Sequence, residues 1–160
     1  MKTINKTVKT LQRDEIENII KEYNIDRNRF YEYNKLKYEN ILDNFKKSFL
    51  KAEEHSLKEL KYCWLNFGED IIVEKKINEE VGKWLEFLKE AKAGIPKTDT
   101  KCYFITDECM VYEGFINEIF AVLSEITALT EDFYIVSRKF DWVLAYVSEG
   151  YAAVLLKKGV

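Results

Sequence analysis

One proline, six glycines and one histidine stand among 160 residues, and each scarcity closes off a class of protein. So little Pro and Gly excludes a low-complexity or disordered chain. With His55 as the sole imidazole, any histidine-activated nucleophile or proton shuttle would have to run through it, and it sits in a charged connection between Glu54 and Ser56. Gly68, Gly82, Gly94, Gly114 and Gly150 are isolated, so no Gly-rich phosphate loop exists. No apolar run approaches the roughly 20 residues that a bilayer-spanning helix needs. The start, Met1 to Lys6, lacks the apolar segment of a signal peptide, and the cytoplasm is the expected compartment. Cys63, Cys102 and Cys109 are odd in number and unevenly spaced, which argues for free thiols in a reducing compartment rather than a disulfide framework.

What remains is a globular composition. At this length one core suffices and two would each be marginal, so a single domain over residues 1–160 is expected. The net charge of −3 disfavours a generic nucleic-acid binder unless charge is segregated. It is segregated, toward acid. Between Lys101 and Arg138 there is no Lys or Arg, while Asp107, Glu108, Glu113, Glu118, Glu125, Glu131 and Asp132 all fall there. The first fifty residues lean basic.

Apolar spacing of three and four predicts a helix over about 12–23 (Leu11, Ile16, Ile19, Ile20, Tyr23) and another over about 33–52 (Tyr38, Ile41, Leu42, Phe45, Phe49). Ser56 and Glu59 have the form of a capping box for a helix at 57–67, with a strand through Tyr62 and Trp64 as the competing reading. Ile71 to Val73 reads as a short strand. Asn78 then caps a helix with Val81, Trp84, Leu85 and Leu88 as its buried stripe, stopped at Gly94-Ile95-Pro96. Cys102 to Ile105 and Met110 to Tyr112 read as strands, and Phe115 to Ile126 as a largely enclosed helix. Phe133–Val136, Trp142–Val147 and Tyr151–Leu156 make an antiparallel meander, apolar on both faces and therefore needing cover on both. The fold class is α+β, a helical N-terminal half packed on an antiparallel sheet that ends in this three-strand meander.

No constellation rises to an active site, and neither metal nor cofactor is expected. Three Cys and one His match a zinc set by count, yet none has the short spacing that fixes a first ligand pair. The carboxylate pairs Glu69-Asp70, Asp107-Glu108 and Glu131-Asp132 diverge, since neighbours on a strand or helix point apart, and solvated element ends explain them. Phe30, Tyr31, Tyr33 and Tyr38 among the N-terminal lysines and arginines have the look of a stacking surface for single-stranded nucleic acid, but Asp14, Glu15, Glu17, Glu22, Asp26 and Glu32 interrupt it. The acidic run is the most suggestive feature. Glu118 and Glu125 lie seven apart on one helix, with Asp107, Glu108 and Glu113 before it, so together they can present a negative surface to a basic partner unless lysines from elsewhere neutralise it. Trp64 or Trp84 is the expected aromatic anchor if exposed.

The run Phe133-Tyr134-Ile135-Val136-Ser137-Arg138-Lys139-Phe140-Asp141-Trp142-Val143-Leu144, with Val111-Tyr112-Glu113-Gly114 and the helix ending in Ile126, resembles small bacterial immunity proteins of polymorphic toxin systems. The likeness covers about residues 101–156. Where those proteins tend to carry Asn-His after the second strand, Val147-Ser148 stands here, so no role of that histidine carries over. The resemblance implies a protein that is not an enzyme and that neutralises a cognate toxin, such as a nuclease, by occluding its active site. Partner contacts would fall on Asp107, Glu108, Glu113, Glu118, Glu125, Trp64 and Trp84, with no small-molecule substrate and no membrane. The rival from another class is a nucleic-acid-binding or regulatory module acting through the basic N-terminal helices.

Overall fold

The computed structural model describes residues 7–51, 67–80, 82–96, 100–126, 132–147 and 152–158. Helix α1 (Val8–Glu22) starts where the Thr7 hydroxyl accepts the Thr10 backbone N–H at 3.1 Å, satisfying one of the donors that every helix start leaves open. Strand β1 (Phe30–Glu32) follows, then a 3-10 turn (Lys35–Lys37) and helix α2 (Tyr38–Phe49). The helix expected over 33–52 is thus shortened at its start. Asn34 turns the chain by accepting the Leu36 N–H at 3.0 Å, and Phe30 is drawn into a strand by burial against Tyr112.

Strand β2 (Ile71–Asn78) runs well past the three residues expected of it, and Asn78 ends a strand instead of capping a helix. Helix α3 begins later (Trp84–Gly94) and turns Phe87, Leu88 and Ala91 inward, leaving Leu85 exposed. Strands β3 (Cys102–Thr106) and β4 (Val111–Gly114), helix α4 (Ile116–Leu123), and strands β5 (Phe133–Ser137), β6 (Trp142–Val147) and β7 (Ala152–Lys158) complete the order, close to the expected bounds. The helix expected at 57–67 lies outside the described residues except for Phe67, which makes an antiparallel bridge to Leu50.

All seven strands join one antiparallel sheet in the order β1-β4-β3-β5-β6-β7-β2, with β5, β6 and β7 adjacent as the meander requires. Strand alternation sorts side chains to two cores. Phe104, Tyr112, Ile135, Leu144 and Leu155 pack beneath α1, α3 and α4, whereas Tyr103, Ile105, Tyr134, Val136, Val143 and Leu156 pack against Ile41, Phe45 and Phe49 of α2. Each such fully buried side chain contributes about 1.5–3 kcal/mol relative to exposure, so cover on both faces is what holds the sheet.

The β3–β4 and β5–β6 turns at opposite ends of the sheet share one device. Thr106 and Ser137 each accept, on the hydroxyl, the N–H of the residue four ahead (Met110 at 3.2 Å, Asp141 at 3.0 Å), and each turn passes through a left-handed non-glycine residue, Cys109 (φ 62) or Phe140 (φ 57). That conformation costs about 1–2 kcal/mol. At Phe140 it is offset by stacking of the ring on Tyr103 at 5.7 Å.

Candidate functional site

The acidic run does not open as one surface. Asp107 is buried, accepts Gln12 Nε2 at 2.8 Å and donates its backbone N–H to the Asp132 carbonyl. Glu113 is buried as well; it accepts the Tyr31 hydroxyl and lies 3.7 Å from Arg138 Nε. Glu118 pairs with Arg29, whose guanidinium sits 4.1 Å from the Phe115 ring centre. Glu108 is half-buried at its turn, and Glu125 is exposed while accepting the Tyr23 hydroxyl at 2.8 Å. Their partners come mostly from the N-terminal third, because β1 pairs beside β4 and α1 packs near α4. Trp84 is half-buried, donating Nε1 to the Leu123 carbonyl at 3.0 Å and packing on Phe87 and Tyr146, so it is not an exposed anchor. Trp64 lies outside the described residues.

Among the described residues no three of His, Cys, Asp and Glu are grouped to hold a metal ion. The Cys102 thiol is pushed up to about 11 by burial, which keeps it protonated and inert at neutral pH. An open notch of about 400 Å³ is lined by Thr100, Ser137, Arg138, Lys139, Asp141 and Trp142. The Ser137 hydroxyl there is hydrogen-bonded to Asp141 and closes the turn, and a carboxylate alone is a poor base for a serine.

Sequence reading missed the feature that stands out in space. Strand β2 is the last strand of the sheet and, among the described residues, pairs on one side only, with β7. Ile72 is 53% exposed and Val73 60% exposed, and Glu74, Lys75 and Lys76 are exposed beside them. A bulge at Glu74 shifts the register between Val73 and Lys75. Beyond it Ile77 is buried and, with the Lys75 stem, lies close to Gly94 at the end of α3, which anchors this half of the strand. The signal in the sequence was the apolar run Ile71 to Val73 with Ile77 beyond it, but the polar residues 74–76 and the bulge, which breaks the period-two alternation, hid the strand.

Residues 8–158 match the model of a family of unknown function, DUF6756. The chain belongs to that family. No curated protein and no solved structure matches it. In this DUF6756 chain the three arginines of the N-terminal third and Lys35 are engaged by carboxylates: Arg13 with Glu32 at 2.6 Å, Arg27 with Glu17 at 3.0 Å, Arg29 with Glu118, and Lys35 3.9 Å from Glu32. A phosphate group approaching these arginines would meet charge that a carboxylate already balances. No described helix of the DUF6756 chain is long and apolar enough to cross a membrane.

Proposed function

We propose that this chain is a cytoplasmic immunity-type protein that acts by binding, neutralising a cognate toxin by covering its active site. One observation carries the reading: a strand of eight residues, Ile71–Asn78, lies at the rim of the sheet with Ile72 and Val73 turned to solvent. Unpaired backbone N–H and C=O groups flanked by exposed β-branched side chains are a template for another chain. The resemblance of the β5–β6 hairpin and of Val111 to Gly114 to immunity proteins supports the toxin as that other chain. The acidic residues first expected to contact it contribute through Glu108 and Glu125 at most, since Asp107 and Glu113 are held inside and Glu118 is paired with Arg29.

The test is co-expression, in a bacterial host, with the toxin encoded beside this chain. Growth should be restored, the two proteins should purify together, and replacing Ile72 and Val73 by glutamate should undo both. Growth arrest that persists with the wild-type chain, without any complex, would overturn the assignment.

A further inference from the structure

The open edge carries its own charge code. Lys75 and Lys76 are exposed on β2, and Lys157 of β7 stands beside them, 3.7 Å from Glu74. Adjacent residues of a strand point to opposite faces, and residues opposite each other share a face. Lys75 lies opposite Leu155, on the α3 side, while Lys76 lies opposite Val154, on the α2 side. Cation is therefore presented on both faces of the rim. At the far end the sign reverses, because a notch of about 120 Å³ beyond Asn78 is lined by Glu80, Glu86 and Glu90, with Lys83 bridging the first two at 3.3 and 3.9 Å.

This pattern selects among occupants. A second copy of the chain laid antiparallel on β2 about Lys75 would set lysine against lysine at about 5 Å, and like charges directly opposite destabilise a strand pair. Lysine on an edge is a common guard against such self-pairing. A strand bearing carboxylates is attracted by the same residues, and Ile72 and Val73 give it apolar contact on both faces.

We propose that the β2 edge accepts an extended acidic segment of a partner protein as an eighth, antiparallel strand on the seven-stranded sheet, with two adjacent carboxylates opposite Lys75 and Lys76 and β-branched residues opposite Ile72 and Val73. The acidic stretch of that segment is short, since carboxylates continued past Asn78 would meet Glu80, Glu86 and Glu90. That a toxin supplies the segment rests on the immunity reading; the mode of pairing does not.

A short fluorescent peptide containing Glu-Glu-Thr-Val-Ile, whose Thr falls opposite Glu74 in the antiparallel register, is the probe, tested by anisotropy against the full chain. Two controls accompany it, one with lysines for the glutamates and one with alternate backbone amides N-methylated. The acidic peptide should bind, at least about tenfold tighter than the lysine peptide, with affinity falling as salt is added. N-methylation should abolish binding, because the backbone ladder supplies it. Lys75→Glu combined with Lys76→Glu should reverse the preference while circular dichroism and Tm stay unchanged. Equal binding of both charge types, binding that survives N-methylation, or no binding of the acidic peptide would each overturn the pairing. Growth rescue by the Lys75→Glu/Lys76→Glu chain would leave the immunity reading standing and remove this edge from it.

Discussion

The two rims of the sheet are built in opposite ways. At the β1 rim the strand has three residues, Phe30 is fully buried and stacked on Tyr112 at 5.2 Å, and side chains close the surroundings: Tyr31 with Glu113, Arg13 with Glu32, and Lys101 Nζ on the Tyr31 hydroxyl at 3.1 Å. At the β2 rim the strand has eight residues, and among those described only Ile77 is buried. Short strands and packed polar groups blunt an edge; a long strand carrying exposed Ile and Val leaves it usable. Stability is thus concentrated at the first rim and availability at the second, so the same perturbation should have opposite consequences at the two.

Glycine substitution gives the largest contrast. A Cβ at Gly114 would sit 2.6 Å from the Arg29 carbonyl oxygen and 3.1 Å from Phe30 Cα, both backbone atoms that cannot step aside. Gly114→Ala should cost about 3 kcal/mol, the upper end for overpacking, and lower Tm by roughly 6–12 °C in a chain of this size. At the open rim, the Cβ of Gly94→Ala meets the Lys75 stem at 3.4 Å and Ile77 Cδ1 at 3.7 Å, near-ordinary contact against a flexible side chain. That change should be neutral or stabilising by about 0.5 kcal/mol. Thermal melts of the two variants side by side measure the difference, and equal shifts would erase the asymmetry.

Alkaline titration probes the closed rim next. Burial is the main cause of the raised values of Tyr31, Tyr103, Tyr112 and Tyr38, the last pushed up to about 12. A tyrosine whose folded value exceeds its unfolded value stabilises the fold fully below the unfolded value, and that stabilisation is lost as pH rises through the folded one. Stability should therefore hold to about pH 10, the ordinary tyrosine value, and decline toward 12. Tyrosinate absorbance should lag behind that of free tyrosine over the same window, with far-ultraviolet circular dichroism falling together with its late phase. Simple titration of all ten tyrosines near pH 10, with the fold intact, would contradict the closure of this rim.

A smaller effect is expected from one atom. The Tyr112 hydroxyl is buried and has no hydrogen-bond partner among the described residues, and a buried unsatisfied polar group costs about 1–3 kcal/mol. Tyr112→Phe keeps the ring on Phe30 and removes the orphan, so urea denaturation should show a gain of up to about 1 kcal/mol. A loss of that size would mean that the hydroxyl is satisfied in solution.

Much of the fold was legible in the sequence where local pattern and tertiary role coincide. The meander was read nearly residue for residue, because Trp142 to Val147 is β-rich throughout and bounded by polar turns. Legibility failed where a long-range partner decides the outcome. Phe30 to Glu32 is a strand because β4 lies beside it, and nothing within those three residues says so. Lys75 and Lys76 are strand residues although they are polar, since an edge asks little burial of its side chains. For the same reason the acidic run misled: its lack of lysine between 101 and 138 is a fact of chain order, whereas Arg29, Tyr31 and Gln12 reach Glu118, Glu113 and Asp107 from about ninety residues away in sequence.

The smallest expected change in stability is at the open rim itself. Ile72 and Val73 lose little contact if replaced by glutamate, being 53% and 60% exposed, and surface substitutions usually fall within about 0.5 kcal/mol. Ile72→Glu with Val73→Glu should leave Tm within roughly 2 °C of the parent while abolishing capture of the acidic peptide, because the apolar contact is gone and the added carboxylates repel those of the peptide. Only a surface kept for a partner separates the two readouts in this way. If instead the double variant unfolds, Ile72 and Val73 belong to the packing of β2 on β7, and the rim is a structural border rather than a docking strand.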